Sequence, residues 1–321
     1  MLSRSLDLAN AALTRADFLR ASAAAVVAAT VPGTTALAHG AEQSDQSAIE
    51  TRLIPSSKSP LPVIGVGTWQ GFDVGASTAE RAPLAQVLGV LLAGGGTVID
   101  CSPMYGRAEA VTGDLLGQSA HRDKAFVATK VWTRGRAEGI AQMERSMALL
   151  KTPNIDLMQV HNLVDYAVHL ETLRGWQAEG RVKYIGVTHY TSSAYRELEA
   201  VLRQEKLDFV QFNYAMDDRD AEKTLLPLAA DRGMAVLINR PFGGGGLLRT
   251  LKDRPLPAWA SEIACTSWAQ VLLKFIISHP AVTCAIPGTA KPEHMADNMN
   301  AGRGPMPDAA MREKMAASIA S

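Results

Sequence analysis

The chain has 321 residues, 47% of them hydrophobic, and its 32 Lys plus Arg balance 32 Asp plus Glu, so the formal net charge is zero at pH 7. That length suits either two ordinary domains or one α/β barrel. The balanced charge gives no broad electrostatic footprint for nucleic acid or an anionic membrane, and no apolar run reaches the roughly 18 residues of a bilayer-spanning helix. The three cysteines, Cys101, Cys265 and Cys284, lie scattered within or beside apolar runs without metal-ligand spacing, so they read as buried structural thiols and no metal site is expected.

Residues 1–40 have a pattern of their own. Arg15-Ala16-Asp17-Phe18-Leu19-Arg20 precedes a weakly apolar run over 21–31, then Pro32, Gly33 and the small-residue triplet Ala36-Leu37-Ala38, which suits cleavage. The stretch 14–20 resembles a twin-arginine export signal, with Ala16 standing in place of its second arginine. This order predicts an export signal and a periplasmic destination. The alternative is a disordered, Ala-rich tail on a cytoplasmic protein.

From residue 64 onward, short apolar runs rich in β-branched residues alternate with helical patterns, the alternation expected of repeated βαβ units. Strands are predicted at 64–70, 96–102, 125–132, 155–162, 184–189, 209–214, 234–240 and 282–288. Helical stretches between them include 81–93, 136–150, 192–203, 219–232 and 262–278, with glycine punctuation near several ends. Eight such units in one composition regime predict a single α/β domain over residues 50–321, a closed (β/α)8 TIM barrel. No G-x-G-x-x-G turn follows any strand, which argues against a Rossmann domain. The four glycines 243–246 after the seventh strand read as a phosphate-approaching loop on the C-terminal face.

In such a barrel the reactive groups come from strand C-terminal ends and the loops after them. The second strand ends Asp100-Cys101-Ser102 and its loop carries Tyr105; the third ends Thr129-Lys130-Val131-Trp132; the fourth ends Gln159-Val160-His161-Asn162. A phenol with a pKa of about 10 is a poor acid at neutral pH unless a cation lowers it. Lys130 would do so, and a buried Asp100 would hold Lys130 charged. Tyr105 as acid, Lys130 as tuner, Asp100 as anchor and His161 as orienter or proton relay suit protonation of a carbonyl oxygen as hydride arrives from a cofactor. Each also has a structural reading: Asp100 as a helix cap, Lys130 as its ion-pair partner, Tyr105 as loop packing, His161 as a hydrogen-bonded core residue.

The segment Gly96-Thr97-Val98-Ile99-Asp100-Cys101-Ser102-Pro103-Met104-Tyr105-Gly106, with Thr129-Lys130 and Gln159-Val160-His161, resembles the aldo-keto reductase family over roughly residues 52 to 302. The resemblance implies a barrel that binds NADP, with NAD as the alternative, and reduces aldehydes or ketones, with Asp100, Tyr105, Lys130 and His161 as its tetrad. It places Thr68 and Trp69 beside the nicotinamide, and Thr188, His189 and Gln211 at its carboxamide, His189 standing where many members have asparagine. It places Arg240, Phe242, Gly243 and Gly245 at the pyrophosphate. Asn239 occupies the position where many members stack a tyrosine on the nicotinamide. Gly288, Thr289, Lys291, His294 and Asn298 fall in the adenosine-phosphate loop and following helix, with Gly288 and His294 where many members have lysine and arginine.

The connection Thr133-Arg134-Gly135 is brief and the tail beyond Asn300 is short, where narrow-specificity family members often carry longer loops, so the resemblance implies an open, tolerant site for a small-molecule carbonyl substrate; Trp69 and Trp132 read either as its apolar walls or as core residues. Two alternatives stay open: a metal-dependent barrel hydrolase or isomerase using Asp100, His161 and His189, and a nucleotide-binding barrel serving as a redox-sensing subunit.

Overall fold

A computed structural model describes residues 48–320; the expected export signal lies outside them. The predicted strands form one parallel sheet of eight: β3 (Val66–Gly67), β4 (Val98–Asp100), β5 (Phe126–Val131), β6 (Ile155–His161), β7 (Val182–Thr188), β8 (Phe209–Asn213), β9 (Ala235–Asn239) and β10 (Cys284–Ala285), each paired with the next in chain order. The ends meet through parallel bridges Ile64 to Ala285 and Gly67 to Gly288, with Gly65 N–H donating to Ala285 O at 2.9 Å, which closes the barrel. A side chain on Gly65 would bring its Cβ within 2.7 Å of the Val98 Cβ, so the seam depends on glycine there.

Around the barrel lie α1 (Thr78–Ala93), α2 (Ala108–Gly117), α3 (Arg136–Leu149), α4 (Tyr166–Ala178), α5 (Tyr195–Gln204), α6 (Leu225–Asp231), α7 (Gly246–Leu251), α8 (Trp268–Ile277), α9 (Pro292–Asn300) and α10 (Ala309–Ala320). Alternate strand residues such as Ile99, Val127, Val187, Val210 and Val236 pack outward against helix residues such as Val87, Leu170 and Phe275. Ala128, Leu157, Phe209 and Leu237 point the other way and fill the barrel, with the rings of Phe126, Tyr184 and Phe209 packed together at centre distances of 5.4–6.0 Å. Ile54 and Leu61 join this inner cluster from an antiparallel hairpin of β1 (Thr51–Leu53) and β2 (Pro60–Pro62), whose Ser57 Oγ accepts from the Tyr184 hydroxyl at 2.8 Å. The hairpin therefore stoppers the N-terminal end of the barrel. Cys101, Cys265 and Cys284 are free and buried, as expected.

Several boundaries differ from expectation for identifiable reasons. The helix expected over 219–232 breaks into a short 3-10 turn and α6, because Pro227 in the first turn of α6 cannot donate backward and forces a fresh helix start. The helix expected over 262–278 starts at Trp268, where Ser267 caps it by accepting from Gln270 N–H, while Ala264 adopts a left-handed turn at φ 52°. The first strand is shorter than expected, since Gln70 turns left-handed at φ 60° and redirects the chain beyond Trp69. Gly113 of α2 lies against the end of α3 so closely that a Cβ there would meet Leu149 O at 2.1 Å.

Candidate active site

The strand ends bring Asp100, Lys130 and His161 together at the C-terminal mouth, and the turn after β4 returns Tyr105 over them. Lys130 Nζ donates to Asp100 Oδ2 at 2.6 Å and to Cys101 O at 2.7 Å, with the two charged side chains only 0% and 3% exposed. The same ammonium lies 5.1 Å from the centre of the Tyr105 ring. Tyr105 meets His161 edge-on with ring centres 6.1 Å apart, and His161 Nδ1 pairs with Ser102 Oγ at 3.1 Å. That pairing leaves Nε2 as the ring nitrogen available to a ligand.

Burial pushes the Tyr105 phenol up, and although the charge and hydrogen bond of Lys130 pull it down, the net direction is up. This reverses the direction expected from Lys130 alone: Tyr105 keeps its proton through neutral pH. Burial pushes Lys130 down, but Asp100 and Tyr105 together outweigh it, so the ammonium is held charged above its ordinary range. Burial, then the Lys130 charge and His189, push His161 down to about 2, which leaves a neutral imidazole at any physiological pH.

Asp100 is also the centre of an amide network. Its Oδ1 accepts from Gln211 Nε2 at 2.9 Å and from Gln159 Nε2 at 3.4 Å. Gln211 Oε1 in turn accepts from Thr188 Oγ1 at 3.1 Å and Asn239 Nδ2 at 3.3 Å, while Gln211 Nε2 also reaches Gln159 Oε1 at 3.5 Å. The four hydrogen-bonding positions of Gln211 are thus all engaged by protein. Asn239 Nδ2 also donates to His189 O at 2.9 Å, whereas Asn239 Oδ1 is buried without a partner, as is Asn162 Oδ1 at the end of β6.

The remaining expected cofactor residues line the same face. Thr68 Oγ1 donates to Asp100 O at 3.0 Å. His189 Nδ1 accepts from Tyr190 and Thr191 N–H, and its ring stacks on Tyr190, with centres 5.5 Å apart. Arg240 lies with its guanidinium 6.0 Å from the Tyr190 ring centre. Gly243, Gly244 and Gly245 all have positive φ, at 57°, 67° and 87°, a path that only glycine follows without strain, and a Cβ on Gly244 would meet the Arg240 guanidinium at 2.8 Å. Phe242 packs half-buried on the core beneath them. Gly288 sits on the barrel seam; Thr289 Oγ1 accepts from Lys291 N–H at 3.1 Å, just before α9, whose first turns carry exposed His294 and buried Asn298.

Trp69 and Trp132 are 57% and 42% exposed, so neither is a core residue. They stand after β3 and β5, and exposed Met104 stands between them on the loop after β4. Trp132 tilts toward His161 at 6.4 Å and is clasped through its backbone by Gln142 of α3. Asp100, His161 and His189 do not form the metal set considered above. Asp100 is spent on Lys130 and the glutamines, each histidine Nδ1 is engaged, and no group of three ligating side chains occurs among the described residues.

Sequence reasoning passes over Ser102, Met104 and Gln159. A glutamine inside the apolar strand β6 is a signal in itself, but its partner comes from another strand.

The family model described as the aldo/keto reductase family matches residues 63–318. The chain belongs to this family. It is 26% identical over 253 residues to an aldo-keto reductase, str7, of Strobilurus tenacellus, covering 67% of this chain and 75% of that protein. It is similar to the crystal structure of an aldo-keto reductase from Klebsiella pneumoniae in complex with NADPH, at 25% identity and a TM-score of 0.71, covering 84% of this chain and 95% of that one. A Klebsiella pneumoniae family structure in complex with NADP and acetate aligns at 26% identity and a TM-score of 0.70, over 82% and 93% of the two chains. These likenesses agree with the (β/α)8 barrel and with an oxidoreductase site at its mouth.

Proposed function

We propose that this aldo/keto reductase family member reduces small aldehydes or ketones with NADPH, with Tyr105 as the acid. The observation that carries the reading is the buried Lys130–Asp100 pair beneath a protonated Tyr105, beside a neutral His161. The mouth fits a nicotinamide nucleotide: it holds orphaned buried amide oxygens at Asn162 and Asn239, and a left-handed glycine path beside Arg240. Trp69, Thr188, His189 and Asn239 would hold the nicotinamide end, Arg240 with Gly243 and Gly245 the pyrophosphate, and Thr289, Lys291 and His294 a 2′-phosphate. When bound, the reduced nucleotide supplies a hydride to the substrate carbon.

The chain's own contribution is proton delivery and orientation. His161, neutral and with Nδ1 turned to Ser102, offers Nε2 to orient the carbonyl oxygen. Tyr105 then gives its hydroxyl proton to that oxygen, and the Lys130 charge favours the resulting phenolate, so the cost of releasing the proton falls. The exposed Trp69, Met104 and Trp132 favour a substrate with an apolar or aromatic substituent.

Tyr105→Phe tests the assignment. Turnover of a panel of aromatic aldehydes, followed by NADPH absorbance, should fall by about 10²–10⁴-fold, while NADPH still quenches tryptophan fluorescence. A variant that turns over like the wild type would remove Tyr105 from the chemistry.

A further inference from the structure

Proton delivery as described leaves one buried carboxyl unused: Glu109, in the first turn of α2 and four residues beyond Tyr105. It is 2% exposed, and both of its oxygens are engaged by other elements rather than by the amides of its own helix. Thr129 Oγ1 of β5 donates to Oε1 at 2.5 Å, and Ser146 Oγ of α3 donates to Oε2 at 3.1 Å, both hydroxyls being buried. Burial pushes the Glu109 carboxyl up, against the pull of these two hydroxyls and of the Lys130 charge across the strand. Withdrawing a carboxylate from water is unfavourable, and two hydroxyl donors offset only part of that. An apolar residue would pack here without the penalty, as Val111 and Leu116 do on the same helix.

The elements that Glu109 joins carry the acid and the cation that tunes it. Tyr105 stands on a loop, and its carbonyl accepts from Ala108 N–H at 3.2 Å, one residue before Glu109. Thr129 directly precedes Lys130. Successive strand side chains face opposite ways, so the Thr129 hydroxyl meets α2 while Lys130 enters the mouth. A second tie on this loop, from Arg107 N–H to Asp73 Oδ1 at 3.0 Å, is exposed to water, where a charged pair contributes little. We infer that Glu109 is a positioning residue for proton delivery: by bonding Thr129 it fixes the loop of Tyr105 against the strand of Lys130. This rests on the proposed role of Tyr105 as the acid. The pull of Lys130 on the phenol falls with distance, so a loosened loop makes Tyr105 a weaker acid.

Variants of the full chain separate the bond from the charge. Glu109→Ala removes both, whereas Glu109→Gln removes the charge but keeps an acceptor for Thr129 and presents an NH₂ group to the Ser146 hydroxyl. With NADPH and an aromatic aldehyde, Glu109→Ala should lower the single-turnover rate of NADPH oxidation by about 10–10²-fold, while NADPH still quenches tryptophan fluorescence at wild-type concentrations. The alkaline limb of the rate against pH should move upward, because the phenol loses part of the pull of Lys130 while Asp100, Cys101 and His161 around it stay unchanged. Glu109→Gln should restore both the rate and the limb. Thr129→Val cuts the same bond from the strand side and should reproduce the Glu109→Ala result, which keeps the test intact if Glu109→Ala does not fold; Thr129→Ser should not. An unchanged rate in Thr129→Val or in folded Glu109→Ala would overturn the inference. So would a loss in Glu109→Gln as deep as in Glu109→Ala, or a limb displaced downward, the result of removing a carboxylate that merely repels phenolate. Wild-type protein without NADPH-dependent turnover would overturn the reading of Tyr105 itself, which separates the two failures.

Discussion

Replacing Asp100 with Asn barely changes its shape and removes its charge. Lys130 Nζ then sits 2.6 Å from a neutral amide in a site where both side chains are essentially out of water. Whichever way the new amide turns, its NH₂ faces a donor: the ammonium on one side, or Gln211 and Gln159, at 2.9 and 3.4 Å, on the other. Removing one partner of a buried ion pair costs about 3–5 kcal/mol, and the donor-to-donor contact places this site toward the upper end. With the upward pull of Asp100 gone, burial dominates and the Lys130 ammonium becomes easier to deprotonate. Urea unfolding, followed by circular dichroism and tryptophan fluorescence together, should register that loss. The double variant Asp100→Asn/Lys130→Met should be more stable than Asp100→Asn alone, because it leaves no unpaired buried charge. Stability of Asp100→Asn within about 0.5 kcal/mol of the wild type would refute the view that this ion pair holds the mouth together.

Two further expectations follow from the same structure. His161, held near a pKa of about 2 in the folded chain against about 6.5 unfolded, takes up a proton on unfolding once the pH drops below the unfolded value. Stability is therefore full above that value and declines as pH falls, by up to about 1.4 kcal/mol per unit. His161→Gln should flatten the slope between about pH 4 and 6 by that amount, and identical slopes in the two proteins would contradict a neutral buried imidazole. Gly113→Ala should lower stability by about 1–3 kcal/mol, because its Cβ would meet the Leu149 carbonyl at 2.1 Å; calorimetry showing an unchanged melting temperature would mean that α2 and α3 separate freely.

The meeting of Asp100, Lys130 and His161 at one mouth is legible because a parallel barrel brings its strand C-termini to one end, and these residues stand at or beside the ends of three successive strands. The direction of the Tyr105 shift was not, since it depends on how deeply the ring is buried, and no local pattern encodes that. The β1–β2 hairpin is not legible for another reason: strands of three residues, one of them holding both Pro60 and Pro62, carry no alternation to detect. The engagement of Gln211 joins residues 111 positions apart, and only the closed sheet brings them together. Sequence alone leaves Trp69 and Trp132 between core and pocket wall, because tryptophan serves equally in both; their exposure removes them from the core.

The amide network around Asp100 runs without a break through side chains of β4, β5, β6, β7, β8 and β9, whereas Trp69, Met104 and Trp132 stand outside it. Change at the mouth is therefore unequally free. An alteration of Gln159, Thr188, Gln211 or Asn239 is felt by the carboxylate that holds the lysine beneath Tyr105. An alteration of the three apolar side chains breaks none of those bonds. Side chains at the rim can therefore be exchanged while the buried network beneath Tyr105 stays as it was.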